Sequence, residues 1–423
     1  MKHIKKDLGS YQLHLIQTNK FKTIMVRVVF RSPIVKEEIT MRNILCDMFM
    51  QSSREYKSKR ELSIKAQDLY AADLTTSNSR LGNYITTNFN LIVLNDKYTE
   101  KGNFADSIRF LSEIIFHPDV TAKKFNREKL DIVKNTCRSA LESLKEDASN
   151  YGLIRMFEVY DSKAVSSYRV VGYLEDLDQI NESNLYQCYE KMIKTNLVDV
   201  FVIGDVEEEE VVSLFRENFP LKTLKKQRVP YLLEDHAFHN RKKVVKEAID
   251  NSQSKLVIGC RVHGLSDYER NYPFTLYNVI LGGGNDAKLF EEVREKNSLC
   301  YSIYSVPNKL DHVLIIQAGI DRSNYNKAVE LIEKCLMMMR KGKFSENDVK
   351  VAKEYYETAM DEMLDSQSRI IDNYLMMQLL GTDDFDVKRE KMKRVTKDEI
   401  IKVAKKVKLD TIFYLEGVKD ERD

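Results

Sequence analysis

The chain contains one segment that decides its fold, Leu281-Gly-Gly-Gly-Asn-Asp-Ala-Lys-Leu-Phe-Glu-Glu-Val-Arg-Glu-Lys-Asn-Ser-Leu-Cys-Tyr-Ser-Ile-Tyr304. Its three consecutive glycines, Gly282–Gly284, allow backbone conformations closed to other residues and leave room for a second segment to approach closely. After them, the apolar residues within 289–293 recur at helical spacing, and those within 299–303 alternate as in a strand. The segment therefore predicts a helix end, a glycine turn, a short amphipathic helix and a strand.

The same order of elements occurs twice along the chain, with an offset of roughly 215 to 220 residues. The matching pairs are strands 23–30 and 255–262, helices 39–51 and 272–281, strands 84–94 and 312–320, helices 104–115 and 325–339, helices 126–145 and 346–364, and helix–strand units 184–203 and 397–415. Because strand and helix periods alternate in the same order both times, we predict a duplicated α+β fold, with a mixed sheet covered by helices in each half. The predicted halves are residues 1–220 and 245–423, joined by a polar linker at 221–244.

Composition describes an ordinary folded protein with no strong overall charge. Hydrophobic residues make up 43% and charged residues 31% of the 423 positions, and 67 basic against 65 acidic residues leave a net charge of +2. This balance predicts no nucleic-acid partner, and no apolar run approaches the roughly 18 residues of a membrane span. Six scattered cysteines and a charged N-terminus favour reduced thiols and a cytoplasmic location.

The segment 281–304 resembles the second-half signature of the pitrilysin and mitochondrial processing peptidase superfamily of zinc peptidases. In that family a glycine turn precedes an Arg-Glu-Lys…Leu-x-Tyr run, which here begins at Arg294 and ends at Tyr301. The resemblance covers essentially the whole chain. It implies two homologous halves that close like a clam shell around a chamber.

The resemblance also implies which residues bind substrate. In the active enzymes an arginine and a tyrosine at this spacing bind the substrate backbone and the carbonyl that develops negative charge, chemistry that suits a guanidinium and a phenol. The corresponding substrate-binding candidates are Arg294, Tyr301, Gly282, Gly283 and Gly284. The alternative reading is a helix-end ion pair of the arginine with a neighbouring glutamate, and an ordinary half-buried aromatic residue in the strand.

The family's zinc motif appears in this chain with its ligands replaced. Active members carry His-x-x-Glu-His on the first helix of the first half, with both histidines on one face and the glutamate as general base. The matching helix places Asn43 and Asp47 at the histidine positions and Cys46 at the base. A later glutamate completes the ligand set in the family, and its position is taken by Asn135. Amides are poor zinc ligands, so the resemblance implies no metal in this chain.

Two points at this motif stay open from sequence. Glu142 is a conceivable substitute for the third ligand, since the register of its helix is uncertain by a few residues. Cys46 is either a remnant at the position of the general base or, as is common for a cysteine in a helix, a small hydrophobic residue of the core.

Some family members divide the site between two chains, and this chain resembles the bacterial zinc-less subunits of the YmfF and AlbE type. The resemblance implies a non-catalytic subunit that pairs with a homologous subunit carrying an intact His-x-x-Glu-His motif, with zinc only in that partner. This chain would line the chamber and bind extended peptide. Three alternatives stay open: a homodimeric peptide-binding scaffold, an active zinc endopeptidase with an unusual ligand set, and phosphate binding at the glycine turn, for which the Gly-Lys-Ser/Thr ending is missing.

Overall fold

The computed structural model describes residues 1–221, 237–239, 241–284 and 286–418. Most of the predicted linker at 221–244 lies outside these ranges. The described chain divides into two compact units, which do not follow the chain order throughout. Residues 143–168 belong to the second unit and residues 367–374 to the first.

Thirteen strands lie within the described residues. They are β1 (Lys2–Asp7), β2 (Gln12–Gln17), β3 (Thr23–Pro33), β4 (Asp73–Leu81), β5 (Tyr84–Leu94), β6 (Val120–Thr121), β7 (Lys124–Phe125), β8 (Leu197–Gly204), β9 (Lys243–Ile249), β10 (Ser254–Val262), β11 (Cys300–Asn308), β12 (Val313–Ile320) and β13 (Val407–Gly417).

Fourteen α-helices accompany them in the same ranges. They are α1 (Ile39–Phe49), α2 (Lys59–Asp68), α3 (Asn103–Phe116), α4 (Arg127–Glu142), α5 (Ala148–Tyr160), α6 (Glu182–Thr195), α7 (Glu208–Asn218), α8 (Asp267–Asn271), α9 (Pro273–Asn278), α10 (Tyr325–Arg340), α11 (Glu346–Leu364), α12 (Gln367–Leu380), α13 (Phe385–Arg394) and α14 (Lys397–Lys405). Two π-helical turns, Val279–Gly283 and Phe290–Glu295, lie between α9 and β11. Among the described residues, no helix is both long enough and apolar enough to cross a membrane.

The two main sheets have the same topology. The first unit contains the order β1-β2-β8-β3-β5-β4, and the second contains β9-β13-β10-β12-β11. Strands β2 and β8 are parallel, as are β9 and β13, and every other pair in these two sheets is antiparallel. Apart from the additional β1, the five strands of one unit match those of the other in order and direction. The predicted α+β fold, with a mixed sheet and helices in each half, is confirmed.

Strand β10, inside the second sheet, is buried on both faces, which explains its nearly continuous apolar run. Leu256 and Ile258 pack into the core beneath the helices of the second unit, whereas Val257 packs against α5 on the opposite face. A Cβ atom at Gly259 would lie 2.8 Å from the Met156 Sδ atom, so α5 approaches the strand closely. Residues 148–160 therefore complete a core whose other members come from strands β10, β12 and β13.

The additional strand β1 is held by a chain of polar contacts in the first unit. His3 Nε2 lies 3.2 Å from His14 Nδ1, and the His3 ring stacks against Tyr374 at a centroid distance of 4.2 Å. His14 Nε2 faces the buried Asp199 carboxylate at 3.7 Å, and Arg31 Nε donates to the same carboxylate at 2.7 Å. Burial, reinforced by the charges of His14 and Lys5, lowers the pKa of His3 to about 4.

This lowered pKa predicts that acid weakens the folded state. Between pH 6.5 and about 4 the unfolded chain binds a proton at His3 that the folded chain does not, so stability present above pH 6.5 is lost as the pH falls through this window. We expect the free energy of unfolding of His3→Gln to fall less than that of the unmodified chain over the same pH window. Urea unfolding at several pH values measures this difference. A parallel decline in both proteins would contradict the role of His3.

Candidate functional site

The residues at the positions of the family's zinc motif lie on two packed helices of the first unit. Asn43 and Asp47 are four residues apart on α1 and therefore share one face of it. Asn135 lies on α4, which packs against α1. The Asp47 and Asn135 side chains are exposed.

The Asn43 side chain has a structural role. Its Nδ2 atom donates to the Val170 carbonyl at 2.8 Å, and its Oδ1 atom accepts from Asn78 Nδ2 at 2.9 Å. Asn78 lies on the edge strand β4 and in turn accepts from the Thr87 hydroxyl at 2.7 Å. Both ends of the Asn43 amide are engaged, so it connects α1 to the sheet and presents no free oxygen to a metal.

Cys46 occupies the position of the general base but lacks the properties of a base. It is 4% exposed, and burial raises the pKa of its thiol well above the usual range. The Thr76 hydroxyl donates to the Cys46 carbonyl at 3.0 Å, which gives α1 a second attachment to β4. A buried, protonated thiol neither accepts a proton from water nor binds zinc as a thiolate.

Asp47 remains as the one carboxylate of the motif. Desolvation by the surrounding protein raises the pKa of Asp47, and Lys59 opposes this shift. The same carboxylate helps to raise the pKa of Cys137, after the larger effect of burial. Cys137 is partly buried against the core, whereas Asn135 is exposed. Sequence reasoning did not select Cys137, although its spacing from Leu130 and Val133 marks it as part of the apolar face of α4.

These residues do not fit a zinc ion. The set contains one carboxylate, one amide that is fully engaged, one exposed amide and a buried thiol. Glu142 lies seven residues beyond Asn135, about 10 Å along the helix axis, and so does not take its place. Among the described residues, no group of three or more histidine, cysteine, aspartate or glutamate side chains is arranged to hold a metal ion.

The helix register predicts that zinc affinity depends on the missing histidines. We expect the purified chain to contain no stoichiometric zinc by mass spectrometry after dialysis. The double substitution Asn43→His and Asp47→His places two imidazoles on one face and should introduce measurable zinc binding, whereas either single substitution should not. One equivalent of zinc in the unmodified chain would contradict this account.

The turn in the second unit requires glycine because neighbouring atoms leave little space for side chains at these positions. None of Gly282, Gly283 and Gly284 adopts a positive φ. A Cβ atom at Gly282 would lie 2.6 Å from Ser305 Oγ and 2.9 Å from the Ser305 backbone nitrogen, and one at Gly283 would lie 2.6 Å from Asn278 Nδ2. At Gly282 the segment that leaves no space for a Cβ atom is β11.

We expect Gly282→Ala to destabilise the protein by about 1–3 kcal/mol, because the added methyl group overpacks the contact with β11. Gly284→Ala is the matched control, because its Cβ atom would lie 3.1 Å from its nearest neighbour, the Val279 carbonyl oxygen. We expect this substitution to lower the free energy of unfolding by less. Urea unfolding measures both. Equal stability of the Gly282 variant and the unmodified chain would refute the close contact.

Arg294 and Tyr301 lie together at the surface of the second unit. The Arg294 guanidinium carbon lies 4.7 Å from the centroid of the Phe290 ring and 5.7 Å from that of Tyr301. Arg294 belongs to a π-helical turn, a feature frequent at functional sites. Within the part of the chain that the structure describes, it forms no ion pair, because the neighbouring Glu291 binds lysines instead. Tyr301 is 80% exposed, which rules out the half-buried alternative.

Strand β11, which begins beside this pair, is an unusual edge strand. Edge strands invite pairing with other chains, and lysines commonly prevent it. Strand β1 carries three lysines within six residues and β9 carries two within seven, whereas β11 carries no charged residue. Its exposed side chains include Tyr304 and Val306. Strand β11 is therefore an edge strand without charged residues beside Arg294. Pro307 near its end and an irregularity in its pairing with β12 between Cys300 and Ser302 limit the part of the edge that is open to pairing.

Comparison with known proteins agrees with this geometry. Residues 179–356 match the family model described as the peptidase M16 inactive domain. The chain is 26% identical to the probable inactive metalloprotease YmfF of Bacillus subtilis, over 98% of this chain and 97% of that protein. It is also 24% identical to the uncharacterized zinc protease YmxG of the same organism, over 74% of this chain and 71% of that protein.

Among solved structures, a conserved protein from Enterococcus faecalis superposes with a TM-score of 0.90 at 28% identity, covering 99% of each chain. Taken together, these matches support the resemblance of the chain to the pitrilysin and mitochondrial processing peptidase superfamily, the M16 peptidases. The inactive-domain model and the inactive relative support a non-catalytic, zinc-less homologue of these peptidases.

Proposed function

We propose that this chain is the non-catalytic subunit of a heterodimer with a homologous subunit that carries an intact His-x-x-Glu-His motif. Zinc is bound only by that partner. This chain lines the chamber and binds extended peptide substrate through Arg294, Tyr301 and the edge of β11, with the Gly282–Gly284 turn holding β11 in position.

The observation that carries the proposal is the position of Arg294, which forms no ion pair among the described residues, beside β11, an edge strand without charged residues. A peptide that adds to this edge forms main-chain hydrogen bonds along the strand. The Arg294 guanidinium is held between two aromatic rings, which reduces the freedom that it loses on binding. With no carboxylate partner among the described residues, it has donors available for a peptide carbonyl or carboxylate.

The proposed partner follows from the same reasoning. Among the described residues, no group of side chains is arranged to hold a metal ion, and the residue aligned with the general base is a buried cysteine. Such a chain lacks the groups that the family's peptide hydrolysis requires, and its proposed role is to bind peptide through the second half. The similarity to YmxG, a protein called a zinc protease, supports a partner of the same fold with the metal site intact.

We expect Arg294→Ala to weaken peptide binding by about tenfold or more, since hydrogen bonds to charged groups contribute about 1.5–3 kcal/mol. Tyr301→Phe should weaken it less, because only the hydroxyl is removed. Fluorescence anisotropy with a labelled unstructured peptide measures both effects. Arg322→Ala is the matched control, because Arg322 is an exposed arginine of the same unit that pairs with Glu416, and it should leave binding unchanged.

Mixing the purified chain with the zinc-motif homologue from the same source tests the pairing. The proposal expects a stable complex and casein cleavage that exceeds the homologue's own, with the increase lost in the Arg294→Ala variant. A complex that fails to form, together with peptide binding by this chain alone as a dimer, would favour the homodimeric scaffold instead.

A further inference from the structure

We infer that the second unit carries a basic surface that binds the headgroups of an anionic lipid bilayer. This surface, called the basic ridge, is formed by helix α14, the end of α13 and the loop after α10. Its cations are Lys341, Lys343, Arg394, Lys397, Lys402 and Lys405. None of them belongs to the proposed peptide site, so the inference goes beyond the proposed function and does not depend on it.

The sequence concentrates positive charge in this part of the chain, although the whole chain is nearly neutral. From the start of α13 onward, residues 385–408 contain ten lysines and arginines against four aspartates and glutamates. The complete chain has a net charge of +2. Such a local excess attracts an anionic partner to one part of the surface, even when the overall charge does not.

The loop after α10 runs beside α14 in the opposite direction. Arg340 donates to the first carbonyl of β13 at 2.7 Å, just beyond the end of α14. A Cβ atom at Gly342 would lie 2.6 Å from the Cδ1 atom of Ile401, in the middle of the helix. The Phe344 ring lies at the start of the helix, with its centroid 5.3 Å from Lys397 Nζ. Alternate residues of the loop therefore contact α14.

The residues between these contacts are exposed lysines. Lys341 and Lys343 both face solvent. On the adjacent helix, Lys402 and Lys405 are exposed about one turn apart. Arg394 is exposed at the end of α13, three residues before α14 begins, and extends the same surface. Loop and helix thus present cations side by side.

The charges of the ridge are not neutralised by other side chains. Among the described residues, none of its cations forms an ion pair, whereas the neighbouring Arg389, Lys391 and Lys393 all do. The two exposed acids that adjoin the ridge in the sequence, Glu346 and Asp398, are outnumbered by its cations. The ridge therefore keeps an excess of positive charge.

The composition of the ridge favours lipid headgroups over nucleic acid. All its cations except Arg394 are lysines, which act as point charges, whereas arginine is suited to bidentate contacts with phosphates and bases. Phe344 is the single aromatic residue within 340–344 and 394–405, and it is buried, so no exposed ring is present for a base to stack on. Clusters of about four to eight lysines and arginines are typical of sites that bind anionic lipids.

Co-sedimentation of the purified chain with vesicles tests the inference. The chain should bind vesicles made of equal parts of phosphatidylglycerol and phosphatidylcholine, and it should stay in solution with vesicles of phosphatidylcholine alone. Because the attraction is between exposed charges, the bound fraction should fall as salt is raised. Equal binding to both kinds of vesicle would overturn the inference.

Charge-removing variants locate the binding surface. The double substitution Lys341→Gln and Lys405→Gln should weaken binding to the anionic vesicles by about twentyfold, since each lysine near such a surface contributes about fivefold. The matched control is Lys101→Gln with Lys124→Gln, which removes the same charge from exposed lysines of the first unit and should weaken binding far less.

Two further outcomes would overturn lipid binding by the ridge. One is equal loss of vesicle binding in the ridge variant and the control variant, which would indicate a diffuse effect of net charge. The other is binding of a labelled single-stranded RNA with no binding to the anionic vesicles, which would assign the ridge to nucleic acid. Neither outcome bears on peptide binding, which the Arg294→Ala variant tests separately.

Discussion

The contact between Gly282 and Ser305 is the constraint on which the second unit's surface depends. The backbone of the turn lies so close to β11 that a Cβ atom at Gly282 would overlap the backbone nitrogen and the Oγ atom of Ser305. This contact limits how far the turn lies from the middle of β11. The π-helical turn that follows the glycines then brings Arg294 to the first exposed tyrosine of the strand. Without the contact between Gly282 and Ser305, the Arg294 guanidinium and the edge of β11 would not lie side by side.

In the first unit, the helix that the resemblance aligns with the zinc motif is attached to the sheet. Asn43 and the Cys46 carbonyl both bind side chains of β4, and the adjacent Arg42 is 2% exposed and donates to Ser32 Oγ at 2.9 Å. These contacts of helix α1 are structural. The buried Cys46 thiol and the hydrogen-bonded Asn43 amide stabilise the packing. Neither group can act as a base or bind a metal ion for hydrolysis.

The sequence predicted the duplicated elements well because each half uses long, strongly patterned strands and helices, such as β3, β10 and α10. Short or polar elements such as β1, β4 and β9 were not predicted, since their residues lack a buried face that alternation would reveal. The membership of α5 in the second unit also escaped prediction, because packing between segments about 100 residues apart leaves no local signal. At the site, the placement of Asn43 and Asp47 at the zinc-ligand positions stays a prediction from the sequence. The engagement of the Asn43 amide, the inward position of Cys137 and the edge position of β11 depend on three-dimensional neighbours, which the sequence does not reveal.

The assignment of α5 to the second core has a consequence for biosynthesis. Its apolar residues Tyr151, Met156 and Tyr160 pack against partners that extend to Phe413 and Leu415, about 250 residues later in the chain. At a translation rate of roughly 5–20 residues per second, the last residues that pack against these side chains are synthesised on the order of ten seconds or more after them. The core around α5 is therefore completed only after β13 has been synthesised, so the order of synthesis constrains how this fold is reached.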